Sequence, residues 1–411
     1  MTLETINVSL AIPPLPFDVE FLPHASCLVG GAVRDAFLGR KGNYLDLDFV
    51  VPENSIAIAK QIARHYHGGF VVLDAARQIA RVVFPQATLD FALQEGDCLE
   101  TDLRRRDFTI NAIAYDVRQH QVIDPLGGIR DLERKIIRMV SPGNLQDDPL
   151  RLLRGYRQAA QLDFKIDPAT RKTIQSLAEL LSKIAAERVQ TELNYLLACS
   201  LGNTWLKCAW EDGLIGLWFE GVDAATITEL EAVEAAGRFL TATYPNFGDR
   251  CNQWLALAKL ATLVAAKIPT AERELERLKY SRSQIRAVLG TIKHLQQLQK
   301  TTNSLSLREQ YFFFLEAKKI LPIIAVKAIA QGIPQAKIMP LVTRYCQPND
   351  PVAYPKSLVT GNDLIRELQI KPSPIVGKLL TEIQIAYIEG KITNSEEALE
   401  FAKHLDLNLS P

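Results

Sequence analysis

Hydrophobic and polar positions follow two periods along this chain, and the change of period divides it. Up to about residue 138, short apolar runs of strand type are interleaved with helical stretches. Cys27–Val29 is an apolar run that ends in Gly30–Gly31, a turn that opens a helix carrying Arg34 and Asp35. After a polar loop, Leu45–Val51 alternates as a strand, and Ser55–Tyr66 follows with helical spacing. Phe70–Leu73, Ile79–Phe84 and Thr88–Leu93 are β-branched or aromatic runs parted by polar turns, which predicts three further strands. Thr109–Asp116 (TINAIAYD) reads as an apolar, helix-like segment, and Asp124–Arg138 as a Pro/Gly turn followed by a charged amphipathic exit from the sheet. Beyond about residue 140 the pattern predicts helices, with loops at 141–146, 200–203, 221–224, 243–250 and 347–357. The expectation is an α+β chain: a small mixed sheet with helices in the N-terminal part, then an all-α remainder.

Two places in this pattern carry chemistry. Asp46 and Asp48 lie two residues apart in a strand, so both carboxylates point to one face. They stand close to the Gly30–Gly31 turn, whose backbone N–H groups can receive phosphate. Paired carboxylates beside an anion cradle suit a divalent cation and a nucleoside triphosphate. Asp90, in Thr88–Leu93, is either a solvated edge residue or, if its strand pairs beside Asp46 and Asp48, a third carboxylate of the same site. Arg104, Arg105, Arg106 and Asp107 form a charged knot that abuts a buried-looking segment containing Asn111. Arginines there can clamp triphosphate or ribose oxygens. The second place is Asp147–Phe164. Asp148, Arg151, Arg154 and Arg157 recur every three residues and form one helical stripe, with Leu150, Leu152, Leu153 and Leu162 on the buried side. A lone Asp–Arg pair would be a surface salt bridge. Three arginines exceed what Asp147 and Asp148 can pair locally, so the stripe can receive an anion or present hydrogen bonds to a base edge.

Composition narrows the alternatives. The 411 residues allow two or more cores, and the formal net charge of zero means that any polyanion must be met by local basic patches. Six cysteines lack CxxC spacing, which argues against structural zinc or a disulfide framework and suits the reducing cytoplasm. The N-terminal stretch has an early acid and a Pro–Pro pair and reads as a lead-in rather than a signal or transit peptide. No apolar run is long enough to span a membrane. Glu187, Arg188 and Glu192 lie on an amphipathic helix, Ala185–Leu197, that packs against and orients its neighbours. Thr270–Arg286 and on to Lys300 is rich in base with Tyr280 interleaved, either an RNA-backbone contact or a solvated helix face.

GGAVRD, then DLD, RRDFTINA and DDPLRLLR, in this order and spacing, resembles the class II tRNA nucleotidyltransferases, grouped with the bacterial poly(A) polymerases. DPLGGIRDL, ERVQTEL and VTGNDLIRELQIKPSPIVGKLL are similar to that family as well. The resemblance implies a catalytic nucleotidyltransferase head at 1–138, a helical neck at 139–200, and a body at 201–346 and tail at 347–411 that hold the acceptor arm and 3′ end of tRNA. It implies Asp46 and Asp48 on Mg²⁺, and Gly30, Gly31 and Arg34 at the triphosphate. Arg106 with Asp107 would sit at the sugar and phosphates, as catalytic residues. Asp148 and Arg151 would pair with the incoming base in place of a nucleic-acid template, supported by Arg154 and Arg157.

Two departures qualify the resemblance. The family's template motif opens with Glu, and here Asp147 stands there, one methylene shorter. Members that add C, C and A carry a flexible loop of about twenty residues ahead of the RRD motif, whereas here only Glu95–Cys98 separates FALQ from LETDL. That resembles the CC-adding members, which use CTP and leave the last A to a separate enzyme. The alternatives are a full CCA-adding enzyme that also takes ATP, a poly(A) polymerase, and a non-catalytic RNA-binding protein of the same fold. No His precedes an Asp, so no phosphohydrolase motif is expected.

Overall fold

The computed structural model describes residues 5–6, 14–40, 42–247 and 251–405. Part of the N-terminal lead-in, part of the 243–250 loop and the last residues of the tail segment lie outside the described residues. The chain forms two compact units, Met1–Trp218 and Phe219–Pro411.

The first unit is built on an eight-stranded sheet. Its strands are β1 (Thr5–Ile6), β2 (Cys27–Val29), β3 (Leu45–Val51), β4 (Gly69–Asp74), β5 (Ile79–Phe84), β6 (Ala87–Leu93), β7 (Ala114–Asp116) and β8 (Gln121–Ile123). The spatial order is β1-β8-β7-β2-β3-β6-β5-β4. Within this sheet, among the described residues, only β3 and β6 pair in parallel, because α2 (Ser55–His65) and the β4–β5 hairpin together make the crossover between them. Alternation along β3 and β6 then separates the two faces of the sheet. Phe49 and Phe91 stack at 5.2 Å between centroids, and Phe17 meets Phe49 edge-on at 5.7 Å. The acids of the same strands turn to the other face. A second cluster packs Cys27, Val29, Val50 and Ala114 against Leu103 and Ala112. The sheet thereby supports the Arg104–Asp107 knot from beneath.

The α+β expectation holds, with three local corrections. Thr109–Asp116 is not a helix: Thr109–Asn111 is a single 3-10 turn and Ala114–Asp116 is β7, paired between β2 and β8. Six apolar or β-forming residues fit either period, and the vacant edge of β2 selected the strand. Residues 141–146 are not a loop. Ser141 accepts from the Asn144 N–H and Pro142 takes the first helical position, so α5 spans Pro142–Asp147, after α1 (Gly31–Phe37), α3 (Leu99–Leu103) and α4 (Gly128–Glu133). The helical remainder also contains one strand, β10 (Lys165–Ile166), parallel to β9 (Ile136–Ile137). Four helices complete the unit: α6 (Leu150–Leu162), α7 (Pro168–Leu177), α8 (Ala186–Ala198) and α9 (Gly202–Glu211). Tyr156 of α6 is buried, and its hydroxyl donates to Asp212, which also receives Arg171 at 2.6 Å and Gln175 at 2.7 Å. This network fixes the rotation of α6.

The second unit is helical. Its helices are α10 (Ala224–Thr243), α11 (Cys251–Leu263), α12 (Ile268–Arg277), α13 (Arg282–Lys300), α14 (Leu307–Ala317), α15 (Leu321–Ala330), α16 (Gln335–Cys346), α17 (Gly361–Leu368), α18 (Pro374–Ile388) and α19 (Ser395–His404). α15 is buried almost all round, and its Lys327 meets Glu229 of α10 at 2.5 Å. α17 to α19 close over a cluster of their own around Leu364, Leu379 and Ala398. Among the described residues no single helix is long and apolar enough to cross a membrane.

Candidate active site

The site grows from the turn after β2. Gly30 has φ 74°, a conformation that favours glycine. A Cβ on it would stand 3.3 Å from both Arg106 Nη1 and Asp48 Oδ2. The turn, the carboxylate and the arginine therefore meet at one point. Asp48 lies opposite Val29 on β2 and opposite Asp90 on β6, and Asp90 lies opposite Arg81 on β5. Arg81 grips Asp90 with two bonds of 2.7 Å. Asp90 thus stands beside Asp48, with its own charge answered by Arg81. Asp46 is exposed at the rim and Asp48 is half-buried.

Electrostatics single out Asp48. Burial, opposed in part by Arg106 and reinforced by Asp90 and Asp46, pushes its carboxyl up to about 6. Asp46 is raised too, by burial and by Asp90. Negative charge has accumulated here beyond what the neighbouring arginines neutralise. Among the described residues no three His, Cys, Asp or Glu side chains form a ready-made metal cage. Two carboxylates with open positions fit Mg²⁺, which keeps several waters and takes substrate phosphate oxygens as further ligands. Arg106 contributes the complementary feature. It reaches Asp102 only at 3.5 Å, and its Nε is buried with no hydrogen-bond partner. A buried guanidinium N–H without a partner fits an anion as its acceptor.

Behind this point lies a polar lattice. Arg34 Nη1 donates to Asn111 Oδ1 at 2.8 Å, and the Asn111 amide donates to Asp107 at 2.9 Å and to Gln158 at 3.0 Å. Asp107 is buried and also accepts from the Phe108 N–H at 2.8 Å and from Arg154 Nε at 3.0 Å. Burial works to raise its carboxyl, but Arg154, Asn111 and the Phe108 N–H outweigh it and hold it below the usual range. Arg34 on α1 and the stripe on α6 are joined through Asn111.

The stripe itself is only partly free. Arg157 bonds Glu192 of α8 at 2.5 Å and Arg154 approaches the same carboxylate at 3.8 Å. Arg151 Nη1 donates to the carbonyls of Arg105 at 2.8 Å and Asn144 at 3.0 Å. Asp148 Oδ2 accepts from Arg188 of α8 at 2.8 Å. Asp147 is exposed. The sequence pattern marks Asn111, Arg188 and Glu192; it misses Gln158, Arg81 and Asn144. Gln158 left one signal, a polar residue at a position where α6 otherwise buries apolar side chains.

Comparisons with known proteins match most of the chain. The Poly A polymerase head-domain family matches residues 26–138, the RNA- and SrmB-binding region of polymerase A matches 163–226, and tRNA nucleotidyltransferase domain 2 matches 249–402. A CC-adding tRNA nucleotidyltransferase from Synechocystis is 49% identical over 399 residues, covering 95% of this chain and 96% of that protein. A CCA-adding enzyme from Streptococcus suis is 28% identical, covering 90% of each. The structure of a CCA-adding enzyme in complex with CTP shares the fold, with a TM-score of 0.73 at 24% identity over 93% of this chain and 91% of that one. The matched head-domain region and the relatives make this chain a nucleotidyltransferase. The chain belongs to the class II tRNA nucleotidyltransferase family, and it is more similar to the CC-adding member than to the CCA-adding one.

Proposed function

We propose that this chain transfers CMP from CTP to the 3′ end of tRNA, releases pyrophosphate, and stops after two additions, in the cytoplasm. The observation that carries the reading is the meeting of the Gly30 turn, the Asp48 carboxylate and the under-bonded Arg106. Asp46 and Asp48 would hold Mg²⁺, with Asp90 as a candidate third carboxylate. When bound, the ion neutralises charge at the α-phosphate and makes the attacking 3′-hydroxyl more acidic. Gly30, Gly31 and Arg34 receive the triphosphate, and Arg106 binds the departing pyrophosphate. Asp148 accepts from the exocyclic amino group of cytosine and Arg151 donates to its ring acceptors, with Arg154 and Arg157 setting the helix behind them. Segment 1–138 serves as the catalytic head and 139–200 as the neck, while 201–346 and 347–411 hold the tRNA acceptor arm.

Support for the stop comes from the connection between β6 and α3. β6 ends at Leu93 and α3 begins at Leu99, so only five residues intervene. A loop this short, tied down by Gln94 to Val51 at 2.8 Å and by Glu95 to Asp102 at 3.2 Å, has no spare length to reshape a pocket for ATP. Incubation with tRNA transcripts ending before the first C, after the second C, or complete, each with CTP or ATP, tests this. Two C additions to the first transcript and no A added to the second are expected. An A on the second indicates full CCA addition, and open-ended ATP incorporation indicates a poly(A) polymerase. No incorporation of either nucleotide leaves a non-catalytic RNA-binding protein.

The metal assignment has a pH signature. Because Asp48 is half-protonated near pH 6 in the metal-free protein, a binding cation must displace that proton. Mg²⁺ or Mn²⁺ affinity should be flat above pH 7 and fall by about tenfold per unit below 6. Calorimetry in buffers of different ionisation enthalpy should show proton release at pH 6 and almost none at pH 8. Release that is independent of pH removes Asp48 from the ligand set.

A further inference from the structure

We propose that Arg188 is a positioning residue for nucleotide choice: its guanidinium holds the Asp148 carboxylate turned toward the base pocket as an acceptor, and so enforces cytosine over uracil. The inference rests on the reading of Asp148 as a base contact.

The backbone of Asp148 is fixed but its side chain is not. Asp148 caps α5 and precedes Pro149, the first cap of α6, and its carbonyl accepts from the Arg151 N–H at 3.0 Å. The carboxylate projects from this junction with little local restraint. Its Oδ1 receives the Leu150 N–H at 3.4 Å, a long bond. The firm contact is Oδ2 with Arg188 Nη2 at 2.8 Å. One oxygen is thereby held and the other left for a ligand.

Arg188 belongs to a series on one face of α8. Arg188, Glu192 and Tyr195 are spaced by four and three residues, so all three project toward α6. They meet Asp148, then Arg154 and Arg157, then Arg157 again, whose guanidinium lies 5.5 Å from the Tyr195 ring centroid. Glu192 is 6% exposed and serves packing, whereas the Arg188 side chain is 50% and the Asp148 side chain 28% exposed. An ion pair this wet contributes little to stability. What it does supply is direction. Uracil would aim a carbonyl at a carboxylate held in this way and be repelled, while cytosine offers an amino donor. A carboxylate free to swing aside removes the repulsion and leaves Arg151 able to donate to the uracil carbonyl.

The test compares kcat and KM for CTP and UTP on a tRNA transcript lacking CCA, using the full chain and the variants Arg188→Ala, Arg188→Lys, Asp148→Ala and the double Ala variant, with melting curves for each. Arg188→Ala should lower the CTP-to-UTP ratio of kcat/KM by about tenfold, through KM, with kcat for CTP held within about twofold. Arg188→Lys, which keeps a charged donor, should restore most of the ratio. In the Asp148→Ala background, removing Arg188 should change nothing further. An unchanged ratio in Arg188→Ala overturns the proposal, as does an equal loss for both nucleotides alongside a lowered melting temperature. A lower KM for CTP also overturns it, since Arg188 would then be a competitor of the base. If Asp148→Ala also keeps the wild-type ratio, the base-reading assignment itself is wrong.

Discussion

Asp48→Asn should abolish CMP transfer, with a loss of at least about 10³-fold in kcat, while tRNA binding persists and the fold grows more stable. The two halves of this result have one cause. Asp48 is held among Asp46 and Asp90 on the face of the sheet opposite the Phe49–Phe91 stack, and its carboxyl is pushed up to about 6. A folded-state pKa above the unfolded value means that the ionised form opposes folding. The penalty is complete well above pH 6, shrinks as the pH falls through 6, and vanishes below about pH 4, where both states become protonated. Over two pH units, discounted for partial exposure, it amounts to about 2 kcal/mol. Metal-free Asp48→Asn should therefore melt above the parent at pH 8, and most of the gap should close by pH 4. Incorporation assays with labelled CTP, together with melting curves at both pH values, check it. Normal turnover in the variant would remove Asp48 from the metal site, and a lower melting temperature at pH 8 would contradict the charge balance.

The second large effect belongs to Asp107. Asp107→Ala should destabilise the first unit by about 3–5 kcal/mol, because it strips Arg154 of its close partner and frees the Asn111 amide in a buried setting. Glu192, at 3.8 Å from Arg154, compensates only in part. The sign of the pH dependence is opposite to that of Asp48. Asp107 is held below the usual carboxylate range, so its contribution is complete above the unfolded pKa of about 4 and is lost as the pH falls through the lower folded value. The parent should lose stability steeply in acid, and the variant should start lower and fall less. Urea titrations at pH 7 and pH 4 measure both slopes. A cost below about 1 kcal/mol at pH 7 would mean that the lattice is loosely packed and does not set the stripe on α6.

The legible part of the site was the part written in local periods. Asp46 and Asp48 share a face because a strand repeats every two residues, and Arg151, Arg154 and Arg157 share a stripe because a helix repeats near every three and a half. The Gly30–Gly31 turn and the short Glu95–Cys98 connection are local too, and the structure keeps both. The failures were local ambiguities. TINAIAYD fits a helix or a strand until β2 offers an open edge, and the Ser141–Pro142 cap reads as a loop because fewer than two turns of helix follow it.

What the sequence determined by itself was therefore the equipment: a sheet-bearing head, paired carboxylates beside a glycine turn, a stripe of arginines, and an order of motifs that marks the family. What only the tertiary structure decided was the partnership among these parts. Arg34 finds Asn111 across 77 residues, and Asn111 finds Gln158 across 47. Asp90 comes beside Asp48 only because β3 and β6 pair in parallel, and there Arg81 answers its charge. Asp148 meets Arg188 only because α8 lies along α6. The physical reason is the range of each signal. Backbone periodicity is fixed by dihedral angles within a few residues, so composition along the chain displays it. A side-chain hydrogen bond has much the same energy with any suitable donor, and which donor arrives depends on how the whole chain crosses itself.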